Sequence, residues 1–584
     1  MATPRPADRI LVTSALFTGA DDEPAPGAVA IGGDRVLWAG PLEVLPEHLR
    51  GTDTEVVDYG NALVMPGFHD AHLHYFHSAL YLSPLAERFV GENEADAVAR
   101  LAPLAARRPA GSWLLTQGWR DYLWNPAGMP SRASLDAAYP DRPVAMYSGD
   151  AHTLWLNGRA LERLGITEAS EAPAGGSYDR DAEGRLTGIV REAAAMELMP
   201  RIVGEFTADE LLDAYRAFQA TLNAQGVTAV CDMALMAGPG LDFVRDDLFA
   251  ALEEAGELTL RVSLFPTLLA DGSRLAGLQE RLDGPLVRAQ GYKQFFDGVS
   301  SQHTAWLHDP YANARFPGDC GRPTVDPQVM GELVQKAAAE GQGVRIHAIG
   351  DEAIHRALDL YEAAGVGRPR AGASDAGEAG DAGGADAADA SDEGVSDAAD
   401  TPGAAPRPAP VFTLEHLENF QPADIARLAR LGVAASVQPR HMTLDPGGPE
   451  RDLGPARVPY MWPFRQLLDA GAVLAFGTDS PVTPTDPLAA VYTAVTRKDA
   501  DTRAPEGGWL PAEALTVPEA LRAYTVGSAR AAGRGADLGA LAPGMLADLV
   551  VLDRDLTAVD SEAIPDARVL ATYVGGRRVY AADE

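Results

Sequence analysis

Short apolar runs alternate with amphipathic segments along most of the chain. Segments such as "TADELLDAYRAFQATLNAQ" and "PADIARLARLG" repeat apolar residues at the three-to-four spacing of a helix. Between such segments lie runs that are typical of strands: "NALVMPGF", "GVTAVCDMAL", "LTLRVSLFPTL", "GYKQFFDG", "GVRIHAIG", "VFTLEHL", "VAASVQP" and "AVLAFGTD". Strands that alternate with helices favour a parallel sheet, and eight in order predict an α/β fold with a (β/α)8 TIM barrel.

Both ends of the chain fall outside this pattern. They are rich in strand-like runs, as in "GAVAIGGDRVLWAG" near the start and "VLATYVGGRRVYA" near the end. Because neither end can form a comfortable core alone, we expect them to pair into one small β-sandwich. The predicted domains are residues 1–64 and 536–584 for the sandwich and 65–535 for the barrel.

Two insertions interrupt the predicted barrel. Residues 90–200 are too long for an ordinary strand-to-helix loop, so we interpret them as a lid or pocket wall on the catalytic face. Residues 368–410 are rich in Ala, Gly and Asp, and between 371 and 401 they hold nine acidic residues and no Lys or Arg. This composition predicts disorder. A tolerated insertion at the bottom of the barrel is favoured over an acidic interaction segment.

Composition excludes several classes of function. The formal net charge of −35 argues against nucleic-acid binding, which needs a basic surface. We find no run of about 18 apolar residues and no pattern of a signal peptide, so we expect neither membrane insertion nor secretion. Two cysteines, Cys231 and Cys320, cannot build a disulfide framework and are typical of a reducing cytoplasm.

Histidines are concentrated in "MPGFHDAHLHYFHSAL", which holds four of the chain's twelve. In a strand, residues i and i+2 point to the same face, so His72 and His74 can aim two imidazoles at one point. His69 could join them only if the backbone changed direction, and His77 is better explained by helical packing or a pocket wall. Two ligands alone do not make a metal site.

Further chemical groups lie near the ends of the later predicted strands: Lys293, His347, His416 and Asp479. Active sites of this fold form at the carboxyl ends of the strands, so these groups can converge with the histidine pair. Imidazoles and a carboxylate suit zinc. Lys293 is one of only three lysines in the chain. It could belong to this site, or it could pair with Asp297 or another acid at the rim.

The ordered series "PGFHDAHLH", "YKQFFDG", "IHAIGD", "EHLENF" and "FGTDSP", followed by "GMLADLVVLDRD", resembles the metal-dependent amidohydrolase superfamily. It is most similar to the YtcJ-like branch, which includes N-substituted formamide deformylases. The similarity extends over nearly the whole chain except the acidic insert.

The resemblance implies a set of metal ligands. In binuclear members, the positions of His72, His74 and Asp479 bind one ion. Those of His347 and His416 bind a second ion, and a carboxylated lysine bridges both. Lys293 occupies the lysine position, so the expected cofactor is one or two divalent ions, with zinc favoured and Lys293 as N6-carboxylysine. A mononuclear member would need fewer of these ligands.

The resemblance also implies a reaction. We expect hydrolysis of a non-peptide C–N bond of amide or formamide type by metal-activated water, with Asp479 as proton shuttle. Ser480 in "GTDSP" lacks the Gly-x-Ser-x-Gly elbow, which argues against covalent catalysis. The alternatives are a hydrolase of a cyclic amide or another bond on the same fold, and a non-catalytic metal-binding regulator.

The expected partner is a small molecule, with neither nucleic acid nor membrane, and a homodimer is the candidate assembly. Four tryptophans between 113 and 155 suggest an apolar or aromatic group in the pocket, although they could equally be core. Candidate substrate contacts are Trp119, His152, Gln438 and Arg440. His441 and the two polar residues near it could instead be exposed loop, and His303 and His308 remain undecided.

Overall fold

A computed structural model of the chain describes residues 6–20, 23–149, 152–173, 176–235, 242–368 and 409–582. The acidic stretch expected to be disordered lies outside these ranges, apart from Arg368, Ala409 and Pro410 at its two ends. The strands are β1 (Arg9–Leu16), β2 (Ala25–Gly32), β3 (Arg35–Gly40), β4 (Glu55–Asp58), β5 (Leu63–Pro66), β6 (Phe68–Leu73), β7 (Ala86–Arg88), β8 (Leu114–Trp119), β9 (Val144–Ser148), β10 (Thr153–Leu156), β11 (Gly176–Arg180), β12 (Leu186–Glu192), β13 (Val227–Met233), β14 (Arg261–Phe265), β15 (Val287–Ala289), β16 (Gly291–Phe295), β17 (Gly343–Ala348), β18 (Thr413–His416), β19 (Ala434–Val437), β20 (Leu474–Phe476), β21 (Leu549–Leu552), β22 (Val569–Val574) and β23 (Arg577–Ala581).

Helices separate most of these strands. They are α1 (Tyr75–Tyr81), α2 (Glu94–Ala99), α3 (Ala102–Arg107), α4 (Arg132–Ala138), α5 (Gly158–Leu164), α6 (Ala193–Val203), α7 (Ala208–Ala224), α8 (Asp246–Glu254), α9 (Ser273–Arg281), α10 (Pro327–Ala339), α11 (Asp351–Ala363), α12 (Pro422–Leu431), α13 (Gly448–Asp452), α14 (Phe464–Asp469), α15 (Pro487–Thr496), α16 (Val517–Arg522) and α17 (Ser528–Ala531). None of the described helices has the length and apolar character that a membrane crossing requires.

The predicted helices begin and end where their sequences provide capping groups. At the start of α7, Thr207 and Glu210 form a capping box in which each side chain accepts a backbone N–H of the other residue. Helix α12 starts with Pro422 and is followed by Gly432, whose φ of 67° lies in the left-handed region that glycine adopts at low cost. These capping residues therefore set where α7 begins and where α12 begins and ends.

Two parallel sheets carry the strands predicted for the barrel. One has the order β15-β14-β13-β6 and the other β16-β17-β18-β19-β20, and every pairing in both is parallel. Strands β6 and β20 contact each other, as do β14 and β16, so the two sheets adjoin at both edges. The fourth predicted run, "GYKQFFDG", contains β16, and the short strand β15 directly before it was not predicted. The eight predicted runs therefore supply, in chain order, parallel strands of an α/β structure.

The first of those runs is divided between two sheets. In "NALVMPGF", residues Leu63–Pro66 form β5 and pair with β1 and β21, whereas β6 begins only at Phe68. Gly67 alone separates the two strands, and a β-carbon on this glycine would lie 2.2 Å from the Thr228 side chain. The histidine pair therefore lies within and directly after its own strand.

Both ends of the chain form one eight-stranded sheet of order β23-β22-β21-β5-β1-β2-β3, with β4 paired to β1. The antiparallel pairing of β5 with β21 joins the two ends. A buried ion pair between Arg261 of β14 and Asp548 connects this sheet to the parallel strands. The predicted sandwich form and domain boundaries remain predictions.

The inserted region between β6 and β13 has a sheet of its own, of order β11-β12-β10-β9-β8-β7. Its core includes Trp119, Trp124 and Trp155, whose ring centroids lie 5.8 to 6.3 Å apart. Three of the four tryptophans considered for the pocket are therefore packed against one another, and Trp113 is also buried, at 2% exposure. Their burial supports the alternative that these tryptophans are core.

Deleting residues 371–401 is expected to leave thermal stability and turnover nearly unchanged. The segment carries no large apolar side chain except Val395, so its removal costs little buried surface. Thermal unfolding and steady-state hydrolysis of the shortened protein test this expectation. A loss of turnover well beyond twofold would assign the segment a role in the reaction.

Candidate active site

The end of β6 is fixed to the loop that follows β20. All six residues of β6 are buried, which suits a parallel strand covered on both faces. The Asp70 carboxylate accepts the backbone N–H of His72 at 3.0 Å and, from Thr478, the backbone N–H at 3.1 Å and the hydroxyl at 2.6 Å. The backbone N–H of Asp479 donates to the His72 carbonyl at 2.6 Å. These bonds place Asp479 beside the histidine pair.

Asp479 lies at the centre of a cluster of imidazoles. Its Oδ1 is 3.0 Å from His74 Nε2 and 3.5 Å from His72 Nε2, and its Oδ2 is 4.0 Å from His416 Nδ1. Ligand atoms of His72, His416 and Asp479 all lie within 4.8 Å of one another. All four side chains are buried. Their spacing would allow one divalent ion to contact several of them.

The imidazoles of His72 and His74 each contact a further group through Nδ1, the ring nitrogen that does not face Asp479. His72 Nδ1 lies 2.5 Å from Glu415 Oε2, and the other oxygen of Glu415 accepts from Arg345 Nε at 2.6 Å. His74 Nδ1 is 2.9 Å from the Met233 carbonyl. A carboxylate or carbonyl on one ring nitrogen orients the ring and leaves the other nitrogen free to bind a metal. Glu415 and Arg345 were not anticipated from the sequence.

His347 and Lys293 line the neighbouring side of the cluster. The His347 ring lies 4.4 Å from that of His416, and its buried Nδ1 has no hydrogen bond within the described ranges. Lys293 is 1% exposed, and its Nζ lies 4.8 Å from the Phe295 ring centroid with no hydrogen-bond partner among the described residues. The structure thus brings together all six predicted ligands.

Asp297, the suggested salt-bridge partner of Lys293, is held by other donors. Its carboxylate accepts the backbone N–H groups of Trp306, Ile349 and Gly350 at 2.8 to 3.0 Å. His347 Nε2 also lies 3.5 Å from this carboxylate, so its roughly four acceptor sites are largely taken. The geometry therefore favours a role for Lys293 in the histidine cluster, while its carboxylation remains a prediction.

Burial sets the charges of this cluster. It lowers the pKa of His72 to about 4 and that of His347 to about 3, and it brings the pKa of His416 well below its usual range. Neutral imidazoles have the lone pairs that metal binding needs. Burial alone would raise the pKa of Asp479, but the close imidazoles of His74, His72 and His441 bring it well below its usual range. The carboxylate is therefore ionised.

Three residues at the cluster have unusual backbone conformations. His416, Leu417 and Asp479 have φ angles of 73°, 54° and 55°, in the left-handed region that side chains other than glycine rarely adopt. Such conformations are strained and persist where the surrounding structure enforces them, often at functional sites. Two of the three are predicted ligands, so the strain falls where the chemistry is expected.

The remaining histidines of the first motif lie outside the ligand group. His69 Nε2 is 3.6 Å from Cys231 Sγ and makes a buried hydrogen-bonding contact with that thiol. His77 lies on α1 and packs edge-on against Phe243 at a centroid distance of 4.7 Å. Both rings are buried. Packing accounts for both positions.

The four candidate substrate contacts have different surroundings. Trp119 donates its indole N–H to the Met146 carbonyl inside the core of the inserted region. His152 Nδ1 lies 2.8 Å from Glu192 Oε2, and Arg440 pairs with Asp501 at 2.6 Å. Of the four, Gln438 touches the cluster, through Oε1 at 3.0 Å from His416 Nδ1. Substrate contact by these residues remains a prediction.

His441, which the sequence left undecided, joins the cluster. Its Nε2 lies 3.5 Å from Asp479 Oδ2, and its ring is nearly parallel to that of His416 at a centroid distance of 5.8 Å. His303 lies apart and pairs with the buried Asp319 at 2.7 Å, and His308 is an exposed residue beside Glu352. The arrangement is a buried group of imidazoles around one carboxylate.

Comparison with known proteins identifies the family to which this chain, with its predicted ligands at strand ends, belongs. A model of the amidohydrolase family matches residues 55–580. The chain belongs to the amidohydrolase family. It is 30% identical to Protein LONG AFTER FAR-RED 3 of Arabidopsis thaliana, with 98% of this chain and 92% of that protein covered. It is 27% identical to the putative amidohydrolase YtcJ of Bacillus subtilis, over 97% and 98% of the two chains.

Two further relatives concern function and fold. The chain is 26% identical to an N-substituted formamide deformylase of Arthrobacter pascens, with 94% of each chain covered. An uncharacterised metal-dependent hydrolase from Pyrococcus horikoshii superposes with a TM-score of 0.73 and 26% identity, over 95% of this chain and 99% of the other. The predicted membership of the YtcJ-like branch is confirmed. The protein is a metal-dependent hydrolase of the amidohydrolase superfamily.

Proposed function

We propose that the protein hydrolyses a non-peptide C–N bond of amide or N-substituted formamide type. The observation that carries the proposal is the convergence of His72, His74, His416 and Asp479, with Lys293 Nζ buried beside them without a hydrogen-bond partner in the described ranges. Similarity to a formamide deformylase over 94% of both chains supports this bond type. The fold that presents these groups is, on this proposal, a closed (β/α)8 barrel with a terminal β-sandwich and residues 90–200 as lid.

The residues fit one or two divalent ions, with zinc favoured by the nitrogen and oxygen donors. His72, His74 and Asp479 would hold one ion. His347 and His416 would hold a second, with N6-carboxylated Lys293 between the two. Several buried atoms of this set, including His72 Nε2, His347 Nδ1 and Lys293 Nζ, have no hydrogen bond with the described residues. The ions would supply Lewis acidity toward the substrate carbonyl and lower the pKa of water.

Asp479 is assigned the proton transfers. Its ionised carboxylate accepts a proton from the attacking water as the new C–O bond forms, and it returns that proton to the leaving nitrogen as the C–N bond breaks. The proton count on the enzyme is therefore unchanged after one turnover. Glu415 and Arg345 keep the His72 ring oriented throughout, since both are fully buried and joined at 2.6 Å.

The proposed setting is a cytoplasmic enzyme that acts on a small molecule and binds neither nucleic acid nor membrane. The net charge of −35 supports the first exclusion, because phosphate backbones repel an acidic surface. A homodimer is the proposed assembly. Light scattering of the purified protein tests it by giving the molecular mass in solution.

Hydrolysis of a substrate panel tests the proposed bond type. N-substituted formamides and N-acyl amines are expected to be cleaved with release of amine, and cleavage is expected to cease when a chelator removes the metal. Cyclic amides and phosphoesters serve as alternative substrates in the same assay. Preference for a cyclic amide or phosphoester would move the protein to another reaction of the same fold. Cleavage of none of these substrates by metal-loaded protein would favour a non-catalytic regulator.

A further inference from the structure

His441 is the one histidine of the cluster that neither the sequence motifs nor the proposed ligand set assigns. It lies in the 3-10 segment Pro439–Thr443 directly after β19. Its side chain is 7% exposed, and its Nε2 is buried without a hydrogen bond among the residues that the structure describes. An imidazole in such a place has lost its hydration and needs a compensating partner. The acidic oxygen beside this Nε2 is Asp479 Oδ2, at 3.5 Å.

The two oxygens of Asp479 face different neighbours. Oδ1 lies beside His74 and His72, at 3.0 and 3.5 Å, and is thus the oxygen on the side of the first proposed ion. Oδ2 lies 3.5 Å from His441 Nε2. A carboxylate that must bind at one oxygen and carry a proton at the other needs a fixed rotation about its side chain. His441 is placed to fix it from the second side.

Glu418 lies behind His441. Its Oε1 is 3.5 Å from His441 Nδ1, and its backbone carbonyl accepts the Trp462 N–H at 2.9 Å, which holds its segment in place. The Glu418 side chain is 13% exposed, so it lies between the cluster and the surface. Glu418, His441 and Asp479 therefore form a carboxylate–imidazole–carboxylate row.

We propose that His441 is a positioning residue that holds Asp479 Oδ2, and that Glu418 orients His441 for this task. The inference rests on the proposed function insofar as Asp479 is both ligand and proton carrier. An outer group that orients a metal ligand changes metal affinity or activity by about 10- to 100-fold when removed. The affinity for the ion and the rate of the proton transfers should both depend on His441.

The test compares His441→Ala with His441→Gln, whose amide N–H₂ can approach Asp479 Oδ2 in place of the imidazole. Zinc affinity is measured by competition with a chromophoric chelator, and kcat and KM are measured on a cleaved formamide. His441→Ala should bind zinc about 10-fold more weakly and lower kcat by about 10- to 100-fold, with KM within about threefold. His441→Gln should recover most of both losses. Glu418→Gln should show a smaller effect in the same direction.

His308→Ala is the control, because His308 is an exposed histidine that pairs with a carboxylate outside the cluster. It should match the wild type in every measurement. Wild-type zinc affinity and kcat in His441→Ala would overturn the inference, as would equal losses in the alanine and glutamine variants. If the wild type cleaves no substrate, the proposed function fails, while the zinc titration still decides whether His441 positions Asp479.

Discussion

Replacing His72 with alanine is expected to remove most of the bound metal and to abolish hydrolysis while the chain stays folded. His72 Nε2 faces Asp479 and His416 inside the cluster, and its other ring nitrogen is held by Glu415 at 2.5 Å. Removing a group that only orients a ligand lowers metal affinity or activity by roughly 10- to 100-fold. Removing His72 itself should lower both by more than that. His74→Ala should behave alike, because His74 Nε2 is 3.0 Å from the same carboxylate.

His69→Ala is the matched control for His72→Ala. His69 lies on the same strand and is also buried, but its neighbour is the Cys231 thiol rather than the Asp479 carboxylate. Metal content by elemental analysis and thermal unfolding are compared among the variants. His69→Ala should keep its metal whatever its stability. Full metal content and normal turnover in His72→Ala would contradict the assignment of the site.

Replacing Lys293 with alanine is expected to lose most activity and about half of the metal. A buried lysine needs a compensating partner, and Lys293 Nζ has none among the described hydrogen-bonding groups. Burial lowers its pKa to about 8, so a neutral amine able to react with carbon dioxide is accessible near neutral pH. That reaction would form an N–C bond and release a proton, and the resulting carbamate would supply anionic oxygen ligands for the proposed ions.

Small carboxylic acids separate the two interpretations of Lys293. In Lys293→Ala they should partly restore activity, because their carboxylate can fill the vacated space. Lys336→Ala is the control, since Lys336 lies exposed on α10 and bonds to the Ala270 carbonyl. Retention of all metal by Lys293→Ala, with no effect of added acid, would indicate an unmodified lysine. Mass measurement of the native protein for an added carboxyl group gives a second test.

The convergence of the predicted ligands could be anticipated because it follows from topology. Parallel strands end at one edge, so residues near the ends of successive strands meet there regardless of the loops between them. His347 and His416 are 69 residues apart in sequence, yet their rings lie 4.4 Å apart. The strand order was equally predictable, whereas the division of the first run at Gly67 depended on which sheet each half joins.

The supporting groups could not be predicted in the same way. Glu415 precedes His416 directly, and Arg345 lies in the fifth predicted strand, so a charge in each of two apolar runs was a signal for a buried ion pair. The tryptophans of the insert were noticed in the sequence, but the sequence could not tell whether they line a pocket or form a core. Aromatic residues form pockets and cores alike, and their mutual packing, with centroids 5.8 to 6.3 Å apart, is decided by tertiary structure.

The metal content of the native protein tests the central claim most directly. Protein purified without added metal and passed through a desalting column should retain about one or two equivalents of a divalent ion, as expected for a site built from imidazoles and carboxylate oxygens. Removal of that ion by a chelator should abolish hydrolysis, and added zinc should restore it. Less than about a tenth of an equivalent, with hydrolysis unaffected by the chelator, would contradict the account.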